Sequence, residues 1–152
     1  MRPVRGFTLI ELVITIVVLA IIATMAAPSF SRMILRQNLN KSARELAIVL
    51  NDARVDAVLH HNSVGVSLDS TSTNWQPAGK SVLVSNIKSI TFRSDGLVQD
   101  PSNTAQPLQS EQITFLLCDQ PQEQAAYSQQ VSISRMGTIQ QGALVEGGCH
   151  AN

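Results

Sequence analysis

The sequence predicts an α+β fold: one long N-terminal helix, apolar in its first half and amphipathic in its second, packed on a small antiparallel β-sheet domain. Three observations carry this. An almost unbroken apolar run from Phe7 to Ala27 passes into a stretch with apolar residues every three or four positions. The second half of the chain then breaks into short segments rich in Val, Ile, Ser and Thr, separated by Gly, Pro, Asn and Asp. At 152 residues there is material for one domain with a modest core.

The N-terminus sets the class. Residues 1–6 read Met-Arg-Pro-Val-Arg-Gly, short and basic. The apolar run after them holds about twenty residues, and a helix of that length spans roughly 30 Å, the hydrocarbon thickness of a bilayer. Arg2 and Arg5 on the short flank place that end in the cytoplasm and the remainder across the membrane. A secretory signal cut within Ala23–Ala27 competes with this. The length of the run and the presence of Glu11 inside it argue against a signal. A charged carboxylate near the centre of a membrane helix costs about 3 kcal/mol. Glu11 therefore either reaches the headgroup layer or meets a positive partner inside an assembly. Pro28 ends the run, removes one helix hydrogen bond and predicts a kink.

From Ser29 to about His60 the helical period continues. Phe30, Met33, Leu39, Ala43, Leu46, Ala47, Leu50, Ala53, Ala57 and Val58 form the apolar stripe. One helix from Phe7 to Leu59 would be about 80 Å long, with Asn62 ending it. The stripe needs a cover, most simply a sheet from the C-terminal half. Strands are expected at Val64–Leu68, Ser81–Ser85, Ser89–Arg93, Gln112–Cys118, Gln130–Arg135 and Thr138–Val145. Asp95-Gly96 is a turn signal, Asp100–Ser110 and Gln120–Gln129 read as polar loops, and Arg135-Met136-Gly137 as a tight connection.

Composition narrows the function classes. Lys plus Arg and Asp plus Glu number 11 each, so no bulk field draws nucleic acid or anionic lipid to the whole chain. Charged residues are 14%, against about 25% in ordinary globular chains. Cys118 and Cys149, an even number late in the chain, suit a disulfide if that part is exported; otherwise they are two buried thiols. A bridge closing that loop would stabilise by roughly 3–4 kcal/mol on the chain-entropy model. No catalytic constellation stands out: there is no Gly-x-Ser-x-Gly elbow and no phosphate-binding glycine loop. His60 and His61 lie at the helix end without a spaced cysteine or histidine, and His150 lies near the terminus, so no metal site and no cofactor is expected. Trp75 reads as a core residue.

The stretch Gly6-Phe7-Thr8-Leu9-Ile10-Glu11-Leu12 resembles the type III signal of type IV pilins and type II secretion pseudopilins. That resemblance implies a pilin-like fold and cleavage by a prepilin peptidase between Gly6 and Phe7. It also implies N-methylation of Phe7 and pairing of Glu11 with the N-terminal amine of a neighbouring subunit. A carboxylate and an ammonium in hydrocarbon each remove the other's largest penalty. Pro28 stands where pilins of this class often carry a proline. Major pilins often have a glycine inside the membrane helix, which lets it melt in the filament; residues 7–62 have none.

Further along, Ala43-Arg44-Glu45-Leu46-Ala47, Leu50 through Arg54, Ala57 and Val64 resemble the GspH/FimT group of minor pilins and pseudopilins. Trp75 with Gly79, and Ile133-Ser134-Arg135-Met136-Gly137, are similar to that group as well. The placement of Cys118 and Cys149 resembles its FimT or FimU pilus branch. Some members bind DNA through a Gly-Arg-x-Arg segment, where the matching residues here are Gly137-Thr138-Ile139-Gln140. Arg135 is the one cation left nearby, which makes DNA the least favoured partner.

The organisation implied is a leader peptide at 1–6, a transmembrane and assembly helix at 7–28, an amphipathic helix at 29–62 and a periplasmic β-sheet domain at 63–152, with 29–152 one globular unit. The function implied is that of a non-enzymatic minor pilin. It would be anchored in the bacterial inner membrane with a cytoplasmic N-terminus, and would join other pilins through its helix to initiate or cap a type IV pilus. Two alternatives stand beside it: a minor pseudopilin of a type II secretion system, and a DNA-binding minor pilin of natural transformation.

Overall fold

A computed structural model of the chain describes residues 7–69, 74–101 and 106–149. Helix α1 runs from Leu9 to Leu59 and passes through Pro28 without a break in the helix. The chain divides into two compact units, one ending at Ile34 and the other beginning at Leu35, and α1 contributes to both.

In the first unit every residue from Phe7 to Ile34 is exposed. This apolar stretch is long enough to cross a membrane by length and composition. Three of its hydroxyls turn back onto their own helix: Thr15 donates to the Leu12 carbonyl at 2.7 Å, Thr24 to Ile21 at 2.7 Å and Ser31 to Ala27 at 3.1 Å. A hydroxyl bonded this way can face hydrocarbon without an unmade hydrogen bond.

In the second unit α1 buries Leu39, Ser42, Ala43, Leu46, Leu50, Ala53 and Ala57. The apolar ones recur every three or four residues and share one core with Val66, Ile90, Phe92, Phe115, Val131 and Ile133. Three residues expected on the stripe are exposed instead. Phe30 and Met33 precede Leu35, where the packed unit begins, and Val58 lies off the buried face beside Gly96. The helix ends after Leu59: the Asn62 N–H donates to the Ala57 carbonyl at 3.1 Å and the His61 N–H to Val58 at 3.4 Å. His61 takes the left-handed conformation (φ 50°) that glycine usually supplies at such a stop.

The strands are β1 (Val64–Ser67), β2 (Val82–Val84), β3 (Ser89–Phe92), β4 (Gln112–Cys118), β5 (Tyr127–Ser134) and β6 (Ile139–Glu146). They form two antiparallel sheets where the sequence suggested one: β1 with β3, and a four-stranded sheet in the order β2-β4-β5-β6. The short strand β2 pairs with β4, from Val82↔Cys118 to Val84↔Leu116, while β1 pairs with β3 although β2 lies between them in sequence. Between β5 and β6 the register shifts at Gln129/Val131, a bulge whose Gly142 carbonyl accepts from Gln129 Nε2 at 2.9 Å.

Strand β5 begins at Tyr127, inside the segment expected to be loop. Ser128 and Gln129 look solvated in sequence, yet both are buried. Ser128 Oγ donates to the Gly147 carbonyl at 2.7 Å, and Gln129 Nε2 donates as described, so the donors of both side chains find partners on or just after β6. The remaining loop, which includes a 3-10 turn at Gln122–Gln124, closes on buried Asp119. One carboxylate oxygen of Asp119 accepts the N–H groups of Ala126 at 3.0 Å and Tyr127 at 3.2 Å.

Two further ties hold the sheet unit. Cys118 and Cys149 form a disulfide with Cα atoms 6.0 Å apart, joining the end of β4 to the chain after β6. Ser42 on α1 accepts the Ala78 N–H at 2.8 Å, while Gly79 (φ 64°) lies so close to Asn38 that a Cβ would strike its side-chain amide. Trp75, in the same connection, is buried as expected.

Candidate functional site

The residues expected to govern processing and assembly sit at the start of α1. Thr8 immediately precedes the helix and Glu11 is its third residue. Thr8 Oγ1 accepts the Glu11 N–H at 3.3 Å, and the Thr8 carbonyl accepts the Leu12 N–H at 3.2 Å. The first four N–H groups of a helix have no partner within it, and in hydrocarbon each one left unmade costs several kcal/mol. The threonine hydroxyl satisfies one of them. A threonine followed three residues later by glutamate is the pairing in which the carboxylate turns back on the first N–H of the box. Glu11 thus occupies the place in an apolar helix where a negative charge is best tolerated, at the positive end of the helix dipole. Its side chain is exposed, and among the described residues no cation pairs with it.

Phe7 is 79% exposed beside this cap. Gly6, on the other side of the expected cleavage position, lies outside the described residues, as does His150. Pro28 is exposed within α1. Sequence reasoning quoted Thr8 within the signal and missed its capping role, although Thr-x-x-Glu ahead of an apolar run is itself a helix-start signature.

Arg135 stands exposed in the turn between β5 and β6, with its N–H donated to Glu111 at 3.0 Å. That turn is held to α1 by Arg54, whose Nε donates to the Gly96 carbonyl at 3.2 Å and whose Nη2 donates to Met136 at 3.1 Å. Gly137 is the contact point: its φ is 77°, and a Cβ there would lie 2.5 Å from the Gly96 carbonyl oxygen and 2.6 Å from Arg54 Nε. The turn from Arg135 to Gly137 therefore serves as a packing joint. A second joint lies nearer the start of the unit, where the Arg36 guanidinium stacks 4.2 Å over the Tyr127 ring, bonds its hydroxyl and reaches Glu146 at 3.3 Å. His60 pairs with Asp56 one turn earlier, Nδ1 to Oδ1 at 2.7 Å. Among the described residues no three His, Cys, Asp or Glu side chains gather as a metal would require.

Residues 1–27 match the family model described as the prokaryotic N-terminal methylation motif. None of the curated protein sequences matches the chain. Among solved structures, the type IV minor pilin FimU of Pseudomonas aeruginosa PAO1 is similar in two crystal forms. The first is 21% identical, covering 71% of this chain and 90% of that one with a TM-score of 0.50. The second is also 21% identical, covering 69% and 93% with a TM-score of 0.49. At this identity the first match speaks for the fold: a long N-terminal helix packed against antiparallel sheets. The chain thus combines a methylation motif at its N-terminus with a fold like that of this minor pilin.

Proposed function

We propose that the chain is a minor pilin, a structural subunit that helps to initiate or cap a type IV pilus. The observation that carries this is the start of α1: a motif-bearing apolar helix, exposed along its whole first unit, with a single carboxylate, Glu11, at its third position. In this reading prepilin peptidase cuts between Gly6 and Phe7, and Phe7 becomes the methylated N-terminus. The helix waits in the inner membrane until Glu11 meets the terminal amine of a neighbouring pilin and sets the register between them. The bridge between Cys118 and Cys149 suits an exported sheet domain.

Two measurements test it. Intact mass of the protein from its native membranes is expected to begin at Phe7 with one added methyl group, and to rise by two hydrogens on reduction. A mass beginning at Met1 in cells with active prepilin peptidase, or after Ala27, contradicts the proposal. Glu11→Ala is expected to leave the sheet unit folded, as judged by near-UV circular dichroism, while the subunit disappears from sheared filaments. Undiminished incorporation of that variant removes the register role. The machine is identified by deletion: loss of piliation points to the pilus, whereas retained piliation with lost exoprotein export points to a secretion pseudopilus. For the DNA-binding alternative, a mobility shift at low salt that vanishes at high salt is the required signature.

A further inference from the structure

Strand β6 is the outer strand of the four-stranded sheet and pairs with β5 on one side only. Along its other edge no backbone group is bonded among the described residues. Folded proteins blunt such an edge with lysine, proline or inward-pointing charges. From Ile139 to Glu146 there is no lysine, arginine or proline, and the one charge, Glu146, is drawn to Arg36. The blunting device present is the bulge, where Gly142 and Ala143 together face Gln130. It leaves Ile139–Gln141 as the straight part of the edge. Pairing over so short a length already occurs in this sheet, since β2 joins β4 through Val82–Val84 alone.

Strand β6 runs antiparallel to α1. Met136, just before the strand, accepts from Arg54, and Glu146, at its end, pairs with Arg36. From Arg36 to Arg54 the helix advances about 27 Å, and from Met136 to Glu146 extended chain advances about 30 Å. Where β6 begins, Thr138 and Ile139 form a groove with α1, and the helix side of it carries Arg44, Ile48 and Asp52. All three are exposed. Spaced four apart, they make one row with a step of about 6 Å. Among the described residues neither Arg44 nor Asp52 has an ion-pair partner. Alternate residues of an extended strand face one side and recur every ~6.6 Å, nearly the same step.

We propose that the edge at Ile139–Gln141 receives an extended segment of a different protein, added antiparallel to β6 as a fifth strand. Running with α1, the segment presents an acidic residue to Arg44, an apolar one two positions later to Ile48 and a basic one two further on to Asp52. This chain has no acidic residue followed four positions later by Lys or Arg, so a second copy does not supply the pattern. The contact is one-sided and does not propagate. It stands on the sheet unit alone, whichever machine the chain serves.

The test uses the full chain in detergent micelles and two fluorescent heptapeptides. One is Thr-Glu-Thr-Val-Thr-Lys-Thr; the other has Glu and Lys exchanged. Fluorescence polarisation is expected to show the first binding about threefold to tenfold more tightly, the order of two ion pairs at a rim. Arg44→Glu combined with Asp52→Arg is expected to reverse that preference, with the near-UV circular dichroism of the chain unchanged. Equal affinity for the two orders, or a preference the double variant leaves in place, overturns the proposal. Strand pairing is read separately, because only alternate N–H groups of an added strand face β6. N-methylation at Val and N-methylation at its two Thr neighbours should therefore differ by about tenfold or more in their effect on binding. Equal tolerance of both overturns the fifth strand. Absence of binding by either peptide also overturns the proposal, and a dimer of the chain with protected β6 amides would then name a second copy as the occupant.

Discussion

Helix α1 has to satisfy its own first N–H groups, and Thr8 meets one of them with its hydroxyl, which accepts the Glu11 N–H. Two other single positions carry measurable consequences. Gly137 combines a left-handed backbone with a site where any Cβ meets the Gly96 carbonyl and Arg54. Gly137→Ala should destabilise the protein by about 2–3 kcal/mol, because both strain and overlap act at once. A chemical denaturation midpoint equal to wild type would remove that account. His61 has the opposite sign. It holds φ 50° at the stop of α1, a conformation a side chain adopts only at a cost. His61→Gly should therefore stabilise by about 0.5–1 kcal/mol, read as a small rise in melting temperature, provided the loss of the histidine exposes nothing new.

At the scale of elements, the informative case is β5. Its first three residues are Tyr, Ser and Gln, a pattern that reads as loop, yet they form strand where Asp119 clamps the N–H of Tyr127 and that of Ala126 just before it. Side chains of Ser128 and Gln129 also reach carbonyls across the ladder. Asp119 is fully buried. Asp119→Ala should leave two backbone donors unpaired and cost about 2–4 kcal/mol. Amide exchange should accelerate most at Ala126 and Tyr127; protection there unchanged from wild type would show that the clamp is not needed. Helix α1 behaves differently along its length. Its second half is fixed by an apolar face against the core, and its first half presents apolar residues in every direction.

At the scale of the whole molecule, the sheet unit is held to its own helix at three places and closed by one covalent link. Ser42 with the Trp75–Gly79 connection, Arg36 with Tyr127, and Arg54 with two turns all run from α1 to segments far away in sequence. The bridge from Cys118 to Cys149 fastens the last segment of chain to the middle of the four-stranded sheet. Replacing both cysteines by serine should lower stability by roughly 3–4 kcal/mol on the loop-entropy estimate, and the melting temperature by about 10 °C for a chain of this size. A melting temperature that does not move on reduction would mean that the three ties already carry the unit.

Local physics made much of this legible in advance. The apolar run from Phe7, the three-and-four spacing of Leu39 through Ala57, and the alternation in β4 each follow from a period that one segment imposes by itself. The N-terminal methylation motif is legible for the same reason, being contiguous. The division into two sheets, the early start of β5, the bulge at Gly142 and the capture of Arg54 by the turns at Gly96 and Met136 were decided only in three dimensions. Each depends on which distant carbonyl or amide lies within hydrogen-bonding reach, and no segment carries that information alone. A polar residue is loop or strand according to whether folding brings it a partner, because burial without one costs more than burial gains.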